Sequence, residues 1–343
     1  MTLPAIRALT SLFPSRLTLI SLPRLHQVFF SDLAFQRVCE VRMTTRGKTR
    51  RFNANALRRR IGACDALISL NPWKSKSLDR LARLLSPALT VGFSSAFEVA
   101  FRKRETEHIA DAAFRVPAYF DSTLRIEDFA QPFRLPARVG PKIRDYLKAH
   151  APGKRILAVH NETKRGKTWP AKRMNKLAIA FLARHPDFVI FVLDFRKQGI
   201  RAPGFEERVL HSPGLPLELA FGVIRESDLF LGVDSVMLHA ADLFRVPGVG
   251  LFGPTAPARF GFRFALHRHL RNRRGMKYVH EEGVLRALER LLGQSGPATK
   301  SRAAEITKRT RMAKKKTSEK LAKGKKLEAN KTLRRAGGQG GMA

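Results

Sequence analysis

The chain of 343 residues carries 65 Lys and Arg against 28 Asp and Glu, a formal charge of +37, with 44% hydrophobic residues, 24 Phe and 2 Cys. That length and apolar content suit two cores and exclude both a wholly disordered chain and a small disulfide-stapled one, while Cys39 and Cys64 alone predict no disulfide framework and no thiolate metal site. The longest apolar runs, such as Phe188 to Leu193, are strand-sized and far short of the roughly 20 residues a membrane-spanning helix needs, and no basic stretch before an apolar one reads as a signal peptide.

In chain order, Leu3 to Pro14 has apolar residues at helical spacing and stops at a proline, which predicts an amphipathic helix. Short apolar strands are expected at Leu17 to Leu22, Ala66 to Leu70 and Leu89 to Phe93. Residues Arg115 to Lys142 are proline-rich and weakly periodic, and read as a connection between two lobes with a boundary near Pro141 to Pro152. Past Pro152-Gly153, the pattern predicts a strand at Arg155 to His160, a helix from Pro170 to Arg184 and a strand at Phe188 to Leu193. It continues with a helix at Leu217 to Glu226, a strand at Asp228 to Gly232, a helix at Val236 to Phe244, a strand at Gly248 to Phe252 and a last helix at Glu281 to Leu292. Alternation of this kind, with continuous apolar strands, predicts an α/β fold with a doubly wound, mostly parallel sheet. His267 and His269, set among arginines from Arg263 to Arg274, read as part of an exposed basic loop.

The charge is not confined to one place. Residues 298–343 hold 10 Lys and 5 Arg against 3 Glu and no aromatic residue. Such a tail cannot bury enough apolar surface to offset its ordering entropy and is expected to be disordered. The remainder is still strongly basic, with clusters at Arg50-Arg51, Arg58-Arg59-Arg60 and Arg102-Lys103-Arg104, so phosphates, acidic lipid headgroups and nucleic acid all qualify as partners by charge. Absence of aromatic residues from the tail argues against base stacking there.

Chemistry-bearing residues gather in three predicted strand-to-helix loops, where backbone N–H groups and a helix dipole converge on an anion. The first, His160 to Pro170, carries Lys164, Arg165 and Lys167 with Thr163 and Gly166, a composition suited to phosphate. Its Glu162 would repel a diphosphate unless Lys164 or Arg165 pairs with it. In the second, Gly232 to His239, Asp234 or Ser235 would cap a helix and His239 lies one turn inside. The third is the Phe252-Gly253-Pro254-Thr255 turn. The sequence holds no Walker A loop, no G-x-G-x-x-G after a strand, no H-E-x-x-H and no trustworthy metal-ligand spacing among its histidines.

The run K-x-W-P after a strand, then D-S-x-x-x-H-x-A-A, then L-F-G-P-T-x-P resembles glycosyltransferase family 9, the lipopolysaccharide heptosyltransferases, over about Leu3 to Phe262. The resemblance implies a GT-B architecture of two Rossmann-like lobes. Residues 1–140 would hold the acceptor, 141–152 would link the lobes and 153–297 would hold a nucleotide-sugar donor. It further implies inverting, metal-independent transfer of a heptose from ADP-heptose to a lipopolysaccharide core acceptor, without a cofactor. The place would be the cytoplasm, peripherally at the inner membrane, with the basic surface toward anionic lipid. Lys167 would neutralise the leaving diphosphate, Thr163 would add a phosphate hydrogen bond, and Asp234 would contact the donor sugar. Ser235 and His239 would lie around the phosphates, Leu215 against the base, and Thr255 in the third donor loop. Val236 stands where the family usually has glycine, which predicts weakened donor binding. The family opens with a strand, a Gly-Asp turn and a helix of the form T-P-A-L-R-A-L. This sequence begins inside that helix, so the general-base aspartate is expected upstream of Met1. The alternatives are an impaired relative of the family and a polyanion- or nucleic-acid-binding protein acting through the tail.

Overall fold

A computed structural model describes residues 1–46, 49–163, 166–194 and 200–294. The basic tail at 298–343, and Lys164 and Arg165 of the first loop, lie outside the described residues.

Helix α1 (Leu3–Leu12) has Pro4 in its first turn, where no intrahelical N–H is lost, and buries Leu3, Ala5, Ile6, Ala8 and Leu9. Short elements follow in the order β1 (Thr18–Ser21), α2 (Leu25–Phe29), β2 (Arg37–Glu40), β3 (Thr44–Arg46), β4 (Thr49–Arg51), α3 (Ala54–Ile61), β5 (Ala66–Ile68), α4 (Lys76–Leu85), β6 (Leu89–Gly92) and β7 (Val99–Ala100). Strands β1 and β2 pair in parallel, β5, β6 and β7 form a second parallel sheet, and β3 and β4 make a separate antiparallel hairpin. Asn53 and Ser75 cap α3 and α4, their side-chain oxygens accepting from Ala56 N at 3.0 Å and Leu78 N at 3.3 Å.

The stretch read as an irregular connection is helical at its two ends and irregular between them, apart from one 3-10 turn at Ile126–Phe129. Helix α5 (Ile109–Phe120) runs through Arg115 and tolerates Pro117 near its end because its buried face packs on α1. Helix α6 (Val139–His150) takes in Lys142 and most of the expected 141–152 linker. Pro141 lies in its first turn, where proline breaks nothing, and Val139 and Ile143 are buried against α8 (Leu217–Glu226). Gly222 of α8 lets the two helices approach: a Cβ there would stand 2.7 Å from Val139 Cγ1 and 2.8 Å from Ile143 Cγ1.

The rest of the chain builds one six-stranded sheet. Its strands are β8 (Arg155–His160), β9 (Phe188–Val192), β10 (Val209–His211), β11 (Leu229–Val233), β12 (Gly248–Phe252) and β13 (His267–Arg271), joined among others by α7 (Ala171–Arg184), α8, α9 (Val236–Leu243) and α10 (Pro257–Phe260), and followed by α11 (Glu281–Gln294). Every pairing is parallel, in the spatial order β10-β9-β8-β11-β12-β13. Counted by appearance this is 3-2-1-4-5-6, the doubly wound arrangement expected from the sequence. Every residue of β9, β11 and β12 is buried, as helices on both faces require.

His267 and His269 do not sit in an exposed loop. They belong to edge strand β13, where His269 Nε2 accepts from Phe262 N at 2.9 Å. The run His-Arg-His-Leu-Arg is too polar to read as a strand; pairing with buried β12 and cover from Phe262 and Phe252 decide its conformation. Met1–Leu291 form one compact unit. Within it, His108 Nε2 lies 3.1 Å from Gly261 O, Arg263 pairs with Asp111 at 3.0 Å and Glu127 at 3.2 Å, and Arg259 pairs with Glu105 at 2.9 Å.

Candidate functional site

In a doubly wound sheet a crevice opens at the carboxyl ends of the strands where the strand order reverses. Here the reversal falls between β8 and β11, so the loops after His160 and after Val233 face one another.

The first loop is closed at its base. Asn161, 1% exposed, accepts from Trp169 N through Oδ1 at 2.8 Å and donates through Nδ2 to Trp169 O at 2.8 Å. Trp169 is itself fully buried and donates from Nε1 to Val279 O at 2.9 Å. Asp194, buried just beyond β9, accepts from Asn161 N at 2.7 Å and Glu162 N at 2.9 Å through one oxygen. These bonds hold Asn161, Glu162 and Trp169 at the two ends of the loop. Gly166 there has φ +87°, a left-handed backbone that suits glycine.

From this loop Lys167 Nζ reaches Asp234 Oδ2 at 2.6 Å, and Thr163 Oγ1 donates to Asp234 O at 3.4 Å. Two loops far apart in sequence thereby meet across the crevice. The Asp234 carboxylate does not cap α9, because it is engaged by Lys167. Ser235 occupies the N-cap position without capping, and its Oγ is buried with no hydrogen-bond partner among the described residues. The first turn of α9 therefore keeps its N–H groups and the positive end of its dipole for a ligand. Val236 takes ordinary helical backbone, so the strain expected of a β-branched residue at a glycine position does not arise; instead its side chain stands 43% exposed at the mouth.

His239, one turn further, is held well below the usual histidine range by burial first, then by repulsion from the Met1 ammonium, His108 and Lys167, and is neutral near pH 7. Beyond β12, Thr255 Oγ1 is a second buried hydroxyl with no partner among the described residues. Leu215, in the turn before α8, packs half-buried against the central apolar core.

Thus hydrogen bonds join Thr163, Lys167 and Asp234, Ser235 and His239 share a helix with the crevice at its N-terminus, and Thr255 follows the neighbouring strand. The residue that sequence reading misses is Asp194; its signal is an acidic side chain directly after a fully apolar strand. Among the described residues no group of three or more His, Cys, Asp or Glu is arranged to hold a metal ion, and no helix is long and apolar enough to cross a membrane.

A model of glycosyltransferase family 9 (heptosyltransferase) matches residues 55–286. Comparison with curated protein sequences finds no match. Among solved structures, the fold is similar to a family 9 glycosyl transferase from Veillonella parvula at TM-score 0.70 and 20% identity, covering 86% of this chain and 93% of that one. It is similar to E. coli ADP-heptose lps heptosyltransferase II at TM-score 0.61 and 12% identity, covering 85% and 94%. E. coli heptosyltransferase WaaC with ADP follows at TM-score 0.58 and 15% identity, covering 84% and 95%.

Proposed function

The chain belongs to glycosyltransferase family 9, the heptosyltransferases, and on that premise we propose that it transfers a heptose from a nucleotide-sugar such as ADP-heptose to a lipopolysaccharide core acceptor, inverting the anomeric centre without a metal. The observation that carries this reading is the Lys167–Asp234 pair at 2.6 Å across the strand-order reversal, beside a helix N-terminus that no side chain caps.

In this reading the donor diphosphate lies against the first turn of α9 and takes hydrogen bonds from Ser235 Oγ, Thr163 Oγ1 and Lys167 Nζ. Asp234 keeps the ammonium in place and meets a hydroxyl of the donor sugar. Thr255 supplies a hydroxyl from the third loop, and Leu215 borders the nucleotide base. The acceptor oxygen forms its bond to the anomeric carbon as the bond from that carbon to the phosphate oxygen breaks. Its proton leaves to solvent on the acceptor side, and the leaving nucleoside diphosphate gathers charge that Lys167 and the α9 dipole stabilise. Neutral His239 leaves the phosphate side free of a second titrating charge.

The test is transfer of labelled heptose from ADP-heptose to an acyl-free core oligosaccharide in the presence of a chelator, with NMR reading the anomeric configuration of the product. Transfer with inversion, lost in Lys167→Met, is expected. No transfer by the unmodified protein, or undiminished transfer in that variant, would overturn the reading.

A further inference from the structure

Lys76, Arg80 and Arg83 fall at intervals of four and three residues, one stripe along α4, and Trp73 stands two residues before its N-cap Ser75. All four side chains are exposed, Trp73 to 48%, while Ser77 and Leu81 on the opposite side are buried against α3 and its neighbours. Lys74 is exposed beside the indole, and Arg58, Arg59 and Arg60 are exposed on α3, which packs directly on α4. Arg80 Nη2 bonds Asn55 Oδ1 at 3.4 Å, so the two helices offer one continuous face. Residues 54–85 carry seven Lys and Arg against Asp65 and Asp79, a net charge of +5, and Asp79 already accepts from Ser94 Oγ at 2.6 Å.

The indole is presented, not left loose. Trp73 N donates to Asn71 Oδ1 at 3.2 Å, Asn71 N donates to Ser69 Oγ at 3.3 Å, and Pro72 is buried. A braced tryptophan at the end of a cationic stripe combines a ring suited to the headgroup boundary with charges suited to the layer above it. The cations of α4 run along about 10 Å of one exposed helix face, which fits a flat anionic layer better than a pocketed ligand.

We propose that the α3–α4 face docks on an anionic lipid bilayer, with Trp73 seated at the headgroup boundary and Lys76, Arg80 and Arg83 on lipid phosphates. The docking itself does not depend on the transferase reading; it adds where that enzyme would meet a membrane-held acceptor.

The chain holds two tryptophans, and Trp169 is fully buried, so tryptophan emission reports this face directly, whereas the basic tail contains no tryptophan. The full-length protein is mixed with phosphatidylcholine vesicles, with or without phosphatidylglycerol as the anionic lipid. Brominated acyl chains serve as the quencher. The expected result is a blue shift and quenching with anionic vesicles only, reversed by high salt, absent in Trp73→Phe and weakened about a hundredfold or more in K76E/R80E/R83E, three basic side chains at about 1 kcal/mol each. Vesicles that co-sediment with the protein while Trp73 emission stays unchanged would overturn the proposal, since another surface or the tail would then be docking. So would equal quenching by neutral vesicles, or a shift produced by duplex DNA or by acyl-free core oligosaccharide but not by vesicles. Transfer to the acyl-free acceptor is measured alongside: its failure would sink the transferase reading and leave the vesicle result standing, and its persistence in K76E/R80E/R83E shows that the variant folds.

Discussion

Lys167 Nζ stands 2.6 Å from Asp234 Oδ2, an ion pair that bridges the loops following two paired strands, β8 and β11, at the strand-order reversal. The side chains are 27% and 11% exposed, so the pair is partly wet and of modest structural worth. Lys167→Met should lower kcat/KM by about 10²–10³, the range for losing one electrostatic contact to developing charge, while stability changes by less than about 1 kcal/mol. Kinetics beside a denaturant titration checks both, and an equal loss of stability and activity would make the lysine structural.

Val236 offers the opposite experiment. Its exposed branched side chain stands over the first turn of α9, where a diphosphate would need close approach to the backbone. Val236→Gly should tighten ADP binding severalfold, measured by calorimetry, at a helix cost of at most about 1 kcal/mol. Unchanged affinity would mean that the donor does not approach this turn.

How far these elements were readable follows their physics. Helix α8 at Leu217–Glu226 and strand β12 at Gly248–Phe252 match their sequence reading residue for residue: β12 is buried throughout and leaves an unbroken apolar pattern, and α8 buries the run from Ala220 to Ile224. Helix α6 was hidden by Pro141, which reads as a breaker until its place in the first turn is known. Strand β13 was hidden because its polar run gains strand form only from β12. At the site, Lys167 and Asp234 are legible as charged residues after strands. Asp194 carries the same kind of signal, an acidic residue directly after an apolar strand, but its effect on Asn161 and Glu162 arises only when β9 pairs with β8.

Gly222 carries a packing prediction independent of the chemistry. A methyl group there would collide with Val139 and Ile143 of α6, both buried. Gly222→Ala should destabilise by about 1–3 kcal/mol through overpacking, despite alanine's better helix propensity. The paired Gly222→Ala, Ile143→Val substitution should recover part of that loss in thermal denaturation, and a stabilised single variant would show that the helices stand further apart.

His269 sets the acid limit. Burial, then repulsion from His267 and His108, pushes its pKa down to about 4, and His108 and His239 are lowered in the same direction with burial as the leading cause. A histidine held neutral in the fold binds its proton more readily when unfolded, at an ordinary value near 6.5. Its contribution is therefore complete above about pH 6.5 and is withdrawn as the pH falls toward 4. Protonation would also remove the acceptor that Nε2 offers Phe262 N, so the edge strand loosens from the turn that follows α10. Melting temperature should fall steadily from pH 7 to pH 4.5, and His269→Gln, less stable at pH 7 for want of the ring packing, should show a shallower fall over the same window. A slope as steep in His269→Gln as in the unmodified chain would move the acid sensitivity to His108 and His239.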